Sequence, residues 1–236
     1  MPRSIADQTV AELGGPTSVF VRQRADHEEL DRLLHELAGT PGTAQERVLR
    51  KIDRLVFSHA FAEETVLWPV LRRVLPDGDE LTRQVEEEHQ EVNELVAALE
   101  TLPHGDPIRA ATLDRLVAVL REDVRDEEDV LFPRLQEALD AKALRRLGLQ
   151  WEVARRVSPT RAHPTVSRRP PGNAVSGLPL TLLDRSRDLV DAGVQRAPQR
   201  FAPVGKAVSS GLAAVAGWVE RVPLARRGDE GQSTSR

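Results

Sequence analysis

The stretch HAFAEETVLWP, His59 to Pro69, returns 64 residues later as DVRDEEDVLFP, Asp123 to Pro133. Each copy sets an acidic pair, Glu63-Glu64 or Glu127-Glu128, ahead of a leucine, an aromatic residue and a proline. Four residues before the first acid stands His59 in one copy and Asp123 in the other. That spacing is one turn of α-helix, so His59 shares a face with Glu63, and Asp123 with Glu127.

A second repeat lies upstream of each. RADHEELDRLLHEL, Arg24 to Leu37, aligns with EEEHQEVNELVAAL, Glu86 to Leu99, at an offset of 62, matching His27 with His89, Leu33 with Leu95 and Leu37 with Leu99. The chain therefore contains two copies of a helix hairpin. Such a duplication sets corresponding residues around an approximate two-fold axis.

Apolar residues recur at three- and four-residue spacing from Val19 to Leu37, Ala44 to Leu75, Leu81 to Leu102 and Ile108 to Leu139, the period of amphipathic helices. No segment alternates as a strand would. Thr43 with Glu46 has the form of a capping box, and Asp106 before Pro107 that of an N-cap. Four helices of about 20 to 30 residues joined by short loops pack as antiparallel neighbours. The expected fold class is all-α: an up-down-up-down four-helix bundle with a C-terminal helical extension.

With 236 residues, the chain has room for one well-cored domain and additional segments. An N-terminal segment (1–18) precedes the bundle and a short fifth helix after Asp140 (19–157). A Pro/Arg-rich linker (158–180), an amphipathic helical segment (181–224) bearing Phe201, Val204, Val208, Leu212, Val215, Val219 and Val222, and a disordered tail (225–236) follow. The helical segment is expected to dock on a partner or a second copy, with peripheral binding to anionic lipid as the lesser alternative. Residues 1–157 hold 21 Lys/Arg against 31 Asp/Glu, while residues 158–236 hold 12 against 6. An acidic front half argues against nucleic acid as a partner. The absence of cysteine excludes disulfides and thiolate sites and suits a reducing cytoplasm. The start lacks a signal-peptide core, and no run approaches the roughly 20 apolar residues of a membrane span.

Each bundle helix carries a titratable residue within its apolar face: His27, His59, His89 and Asp123, with Glu63 and Glu127 one turn beyond the second and fourth. Burial of even one unpaired carboxylate costs several kcal/mol, and no Lys or Arg stands on these faces to neutralise three of them. A pair of metal ions accounts for all six groups, with imidazoles as terminal ligands and carboxylates able to bridge. The alternative is partial exposure at one end of the bundle.

The order His27, His59-x-x-x-Glu63, His89, x-x-x-Glu127 resembles the hemerythrin-like cation-binding (HHE) domains of bacteria, over about residues 19–157. The resemblance implies a non-haem centre of two iron ions, bridged by Glu63 and Glu127, with His27, His59 and His89 as terminal ligands. The departure is Asp123, where the family pattern has histidine. It is expected to ligate through oxygen.

Three functions follow as expectations: binding or sensing of a small ligand such as oxygen, nitric oxide or peroxide in the cytoplasm; a di-iron oxidase or peroxide-decomposing enzyme; or a metal-poor interaction bundle. His35 and His104 read as surface residues, and His163 as a solvated linker residue that could instead fold back toward the metals. Glu64 and Glu128 read as solvated or supporting groups, Trp68 and Phe132 as core, and Glu86 to Glu88 as an exposed face.

Overall fold

The apolar periodicity closes into helices at the expected places. The computed structural model describes residues 3–167, 169, 172–196 and 202–221, and there is no strand among them. Helix α1 (Val19–Ala38) is followed by α2 (Gln45–Ala62), which passes through a π-helical turn (Glu63–Leu67) into α3 (Trp68–Val74). Helices α4 (Gly78–Thr101) and α5 (Pro107–Asp126) form the second hairpin, and α5 continues through a matching π-helical turn (Glu127–Leu131) into α6 (Phe132–Ala138). Then come α7 (Ala141–Arg156), α8 (Gly172–Arg196) and α9 (Ala202–Glu220).

Side-chain caps start several of these helices. Asp106 accepts from the Ile108 amide at 2.8 Å, and Asp140 from that of Ala143 at 2.7 Å. The expected Thr43/Glu46 capping box does not form: Thr43 lies in a 3-10 turn, and Glu46 accepts from Arg109 across the bundle instead.

Both π-helical turns begin at the first acid of the repeated stretch and end just before the aromatic-proline pair. The proline is the physical reason. Within a helix it lacks the N–H that would bond four residues back, and its ring crowds that carbonyl. A wider turn relieves the clash while Trp68 and Phe132 donate their amides to the carbonyls of Glu63 and Glu127. Such bulges recur at functional sites, and here they fall on the buried Glu63 and Glu127.

Two apolar clusters flank the polar residues. One gathers Phe20, Trp68, Phe132 and Trp151 together with Ile5 and Leu13, so residues ahead of α1 contribute to the core. The other includes Leu33, Ile52, Val92, Leu116 and Val119. Helix α7 lies close against the chain before α1, where a Cβ on Gly148 would stand 2.1 Å from the Thr17 carbonyl oxygen.

The extension departs from the expected linker. Helix α8 starts at Gly172 and runs through Pro179, so the non-helical strap ends earlier than position 180. The strap is held by buried Asp184, which accepts the amides of Thr160 and Arg161 at 2.9 and 3.0 Å. Helices α8 and α9 pack together as a hairpin, leaving Val204, Val208, Val215 and Trp218 exposed. Phe201, Val222 and the expected disordered tail lie outside the described residues. No helix among those described is long and apolar enough to cross a membrane.

Candidate metal centre

All six predicted residues are buried and converge between the two apolar clusters. Two groups lie within metal-chelating distance: His27, His59 and Glu127, and Glu63, His89 and Glu127. Glu127 is common to both. Glu63 also reaches both sides, its Oε1 3.2 Å from His59 Nε2 and its Oε2 3.6 Å from His89 Nε2. Asp123 borders the second group, with Oδ1 3.6 Å from His89 Nε2.

Each imidazole is oriented by a carboxylate on its outer nitrogen. His27 Nδ1 donates to Glu128 at 2.8 Å, His59 Nδ1 to Asp26 at 2.9 Å and His89 Nδ1 to Glu64 at 2.9 Å. Asp26 is held in turn by Arg155 of α7 at 3.0 Å. In the neutral imidazoles these bonds fix the proton on Nδ1, leaving Nε2 as a lone-pair donor that faces inward. The Nε2 atoms of His27 and His59 are 3.3 Å apart, so in the neutral forms two lone pairs oppose one another.

The carboxylates pose the same problem from the anionic side. Both oxygens of Glu127, Oε2 of Glu63 and Oδ1 of Asp123 are buried without a hydrogen bond of acceptable geometry, although Glu127 Oε2 lies 3.2 Å from His27 Nε2. A cation between the imidazoles and these oxygens satisfies both sets at once. The donor set therefore fits a metal, and nitrogen with carboxylate oxygen suits first-row transition ions.

Without a cation, protons carry the compensating charge. Burial lowers His27 and His89, but facing carboxylates outweigh it, Glu127 and Glu128 raising His27 to about 9 and Asp123 with Glu64 raising His89 to about 10. His59 is raised in the same way, against burial, chiefly by Glu63 and Asp26. Glu127 is pushed up by burial, yet His27 and His59 hold it at about 2. Asp123 and Glu63 are raised, first by burial and then by Glu127. The cluster is thus charge-matched only with bound protons or bound metal.

Several expectations change. Of the two alternatives for Glu64 and Glu128, the supporting one holds: they position His89 and His27. Glu86 is buried against Arg72 and Arg169 rather than exposed. His163 does fold back, but onto Asp184 and Glu220 at 3.0 and 2.9 Å and not into the metal cluster. His35 is exposed, while Trp68 and Phe132 are core residues. No spacing in the sequence marks Asp26, Gln23 or Arg155 as part of the site. Asp26 adjoins His27 in the chain yet serves His59 on α2, and Gln23 Nε2 donates to Glu63 at 2.7 Å.

A helical bundle with buried His and Glu groups on facing helices defines a cation-binding protein. Residues 19–135 match the profile of the hemerythrin HHE cation binding domain, and the chain carries a domain of that family. It is 26% identical over 134 residues to a hemerythrin-like protein of Schizosaccharomyces pombe, a match covering 56% of this chain and 66% of that protein. A DNA nickase of Nostoc sp. is also 26% identical over 134 residues, 37% of its length. The chain thus spans less than two thirds of either relative. No solved structure matches it significantly.

Proposed function

We propose that the domain binds two metal ions: one held by His27, His59 and Glu127, the other by Glu63, His89, Glu127 and Asp123. The carrying observation is that the His27 and His59 Nε2 atoms stand 3.3 Å apart, each ring fixed by a carboxylate on its far nitrogen. Iron is the metal that the family resemblance implies. A bound iron pair would supply a redox-capable, electron-accepting centre for a small ligand.

The space beside the cluster supports oxygen, nitric oxide or peroxide as that ligand. A cavity of about 20 Å³ reaches His27, His59, His89 and Asp123 between Phe57, Val92 and Leu120, room for about one water-sized molecule. Its apolar walls favour a small neutral species over a bulky anion. A second reading, an oxidase or peroxide-decomposing enzyme, draws support from Asp123, whose carboxylate makes one side of the centre harder and more anionic than an imidazole would. The nicking activity of the Nostoc relative is not carried over, since the match covers 37% of that protein.

The test is metal content with absorption spectra for iron-loaded protein and three variants. Glu127→Ala should lose both ions and Asp123→Ala one, whereas Ser58→Ala should keep two. Spectral change with oxygen, nitric oxide or peroxide, with or without turnover, separates the two readings. Full metal content in Glu127→Ala would overturn the assignment.

A further inference from the structure

The seam between α1 and α5 opens into a groove of about 380 Å³ whose lining includes His27 and Glu128. That volume lies within the range of small-molecule sites, about 300 to 1,000 Å³. Arg24 and Leu34 of α1 both line it, and the turns between them span about 15 Å of helix axis. The groove is long rather than round.

Its lining combines an apolar floor with two uncommitted charges. Leu30, Leu34 and Leu120 form the floor. Each acid at the rim already faces a basic group: Glu28 lies 3.6 Å from Arg24, Asp31 3.4 Å from His35, and Glu128 2.8 Å from His27. Arg121 and Arg125 are exposed on one side and have no ion pair among the described residues. They stand one turn apart on α5, where like charges repel. A bound anion relieves that repulsion, and guanidinium forks match a carboxylate in shape as well as charge.

We propose that this groove binds a small amphipathic monoanion, of the class of medium-chain aliphatic carboxylates, with the carboxylate on Arg121 and Arg125 and the chain along Leu30, Leu34 and Leu120. A bare inorganic anion would leave the apolar floor unused, and a neutral chain would leave the arginines unanswered. The five residues that carry this proposal lie outside the proposed ligand set, although His27 and Glu128 also line the groove.

Calorimetric titration of the full chain with decanoate, decanol, acetate and decyltrimethylammonium tests it. Decanoate should bind at least about tenfold more tightly than the other three. The double variant Arg121→Ala/Arg125→Ala should lose about tenfold in decanoate affinity and leave decanol unchanged, with helicity and melting temperature confirming its fold. Equal binding of decanoate and decanol, equal binding of the cationic amphiphile, or undiminished decanoate binding by the double variant would each overturn the proposal. Acetate competing as well as decanoate would show an adventitious anion only, and would also overturn it.

Discussion

The side-chain oxygen of Asn93 accepts the backbone N–H of His163 at 2.9 Å, while its amide nitrogen donates to the carbonyl of His89 at 3.0 Å. One buried side chain thus joins the strap after α7 to the turn of α4 that carries a predicted metal ligand. Replacing Asn93 with Ala orphans the His163 amide, and a lost hydrogen bond of this kind is worth about 1 kcal/mol. Hydrogen exchange at residues 160–166 should accelerate several-fold in Asn93→Ala, with the exchange of α2 unchanged. Equal protection in both proteins would mean that the strap is held from α8 alone.

The carboxylates behind the imidazoles predict a graded effect on metal affinity. Asp26→Asn and Glu64→Gln keep the shape of each side chain but weaken its hold on His59 and His89. Such outer partners typically govern affinity by about 10- to 100-fold. Competition against a chelator should show that loss for each variant, with total metal capacity retained when iron is in excess. Parent-like affinity in both would remove these carboxylates from the function of the site.

His163 makes docking of the extension pH-dependent. Burial lowers its proton affinity, but Asp184 and Glu220 outweigh it and raise the group from 6.5 to about 9. Because the folded value exceeds the unfolded one, its stabilising contribution is complete below about pH 6.5 and disappears as pH rises through about 9. Limited proteolysis between residues 158 and 196 should therefore quicken from pH 7 to pH 10. In His163→Gln that rise should be flattened, which separates this imidazole from general alkaline loosening.

Gly148 gives a prediction about how α7 is seated. An added Cβ would meet the backbone of Thr17 and Ser18, which cannot swing aside as a side chain could. Gly148→Ala should destabilise the protein by about 1 to 3 kcal/mol, seen as a lower melting temperature. Trp151, whose ring meets that of His59 edge-on at 5.6 Å, rides on the same helix. A shift in tryptophan emission should accompany the loss, and a parent-like melt would show that the helix can move outward freely.

Local sequence determined the helices because their signals are periodic and capped within a few residues. The facing positions of His27, His59, Glu63, His89, Asp123 and Glu127 followed from spacing and duplication alone, since both hairpins place equivalent turns at one level of the bundle. The π-helical turns were also written locally, in Pro69 and Pro133, but a continuous apolar period conceals a one-residue bulge. Tertiary structure alone decided which imidazole each supporting carboxylate serves. Asp26 serves His59 and Glu128 serves His27 across helices, and no spacing along one chain segment reports a contact between two. It also decided the fates of His163 and Glu86, which look solvated by composition. Burial is a property of what packs above a residue, and here α8, α9 and the strap supply that cover together with Asp184, Glu220 and Arg169 as partners.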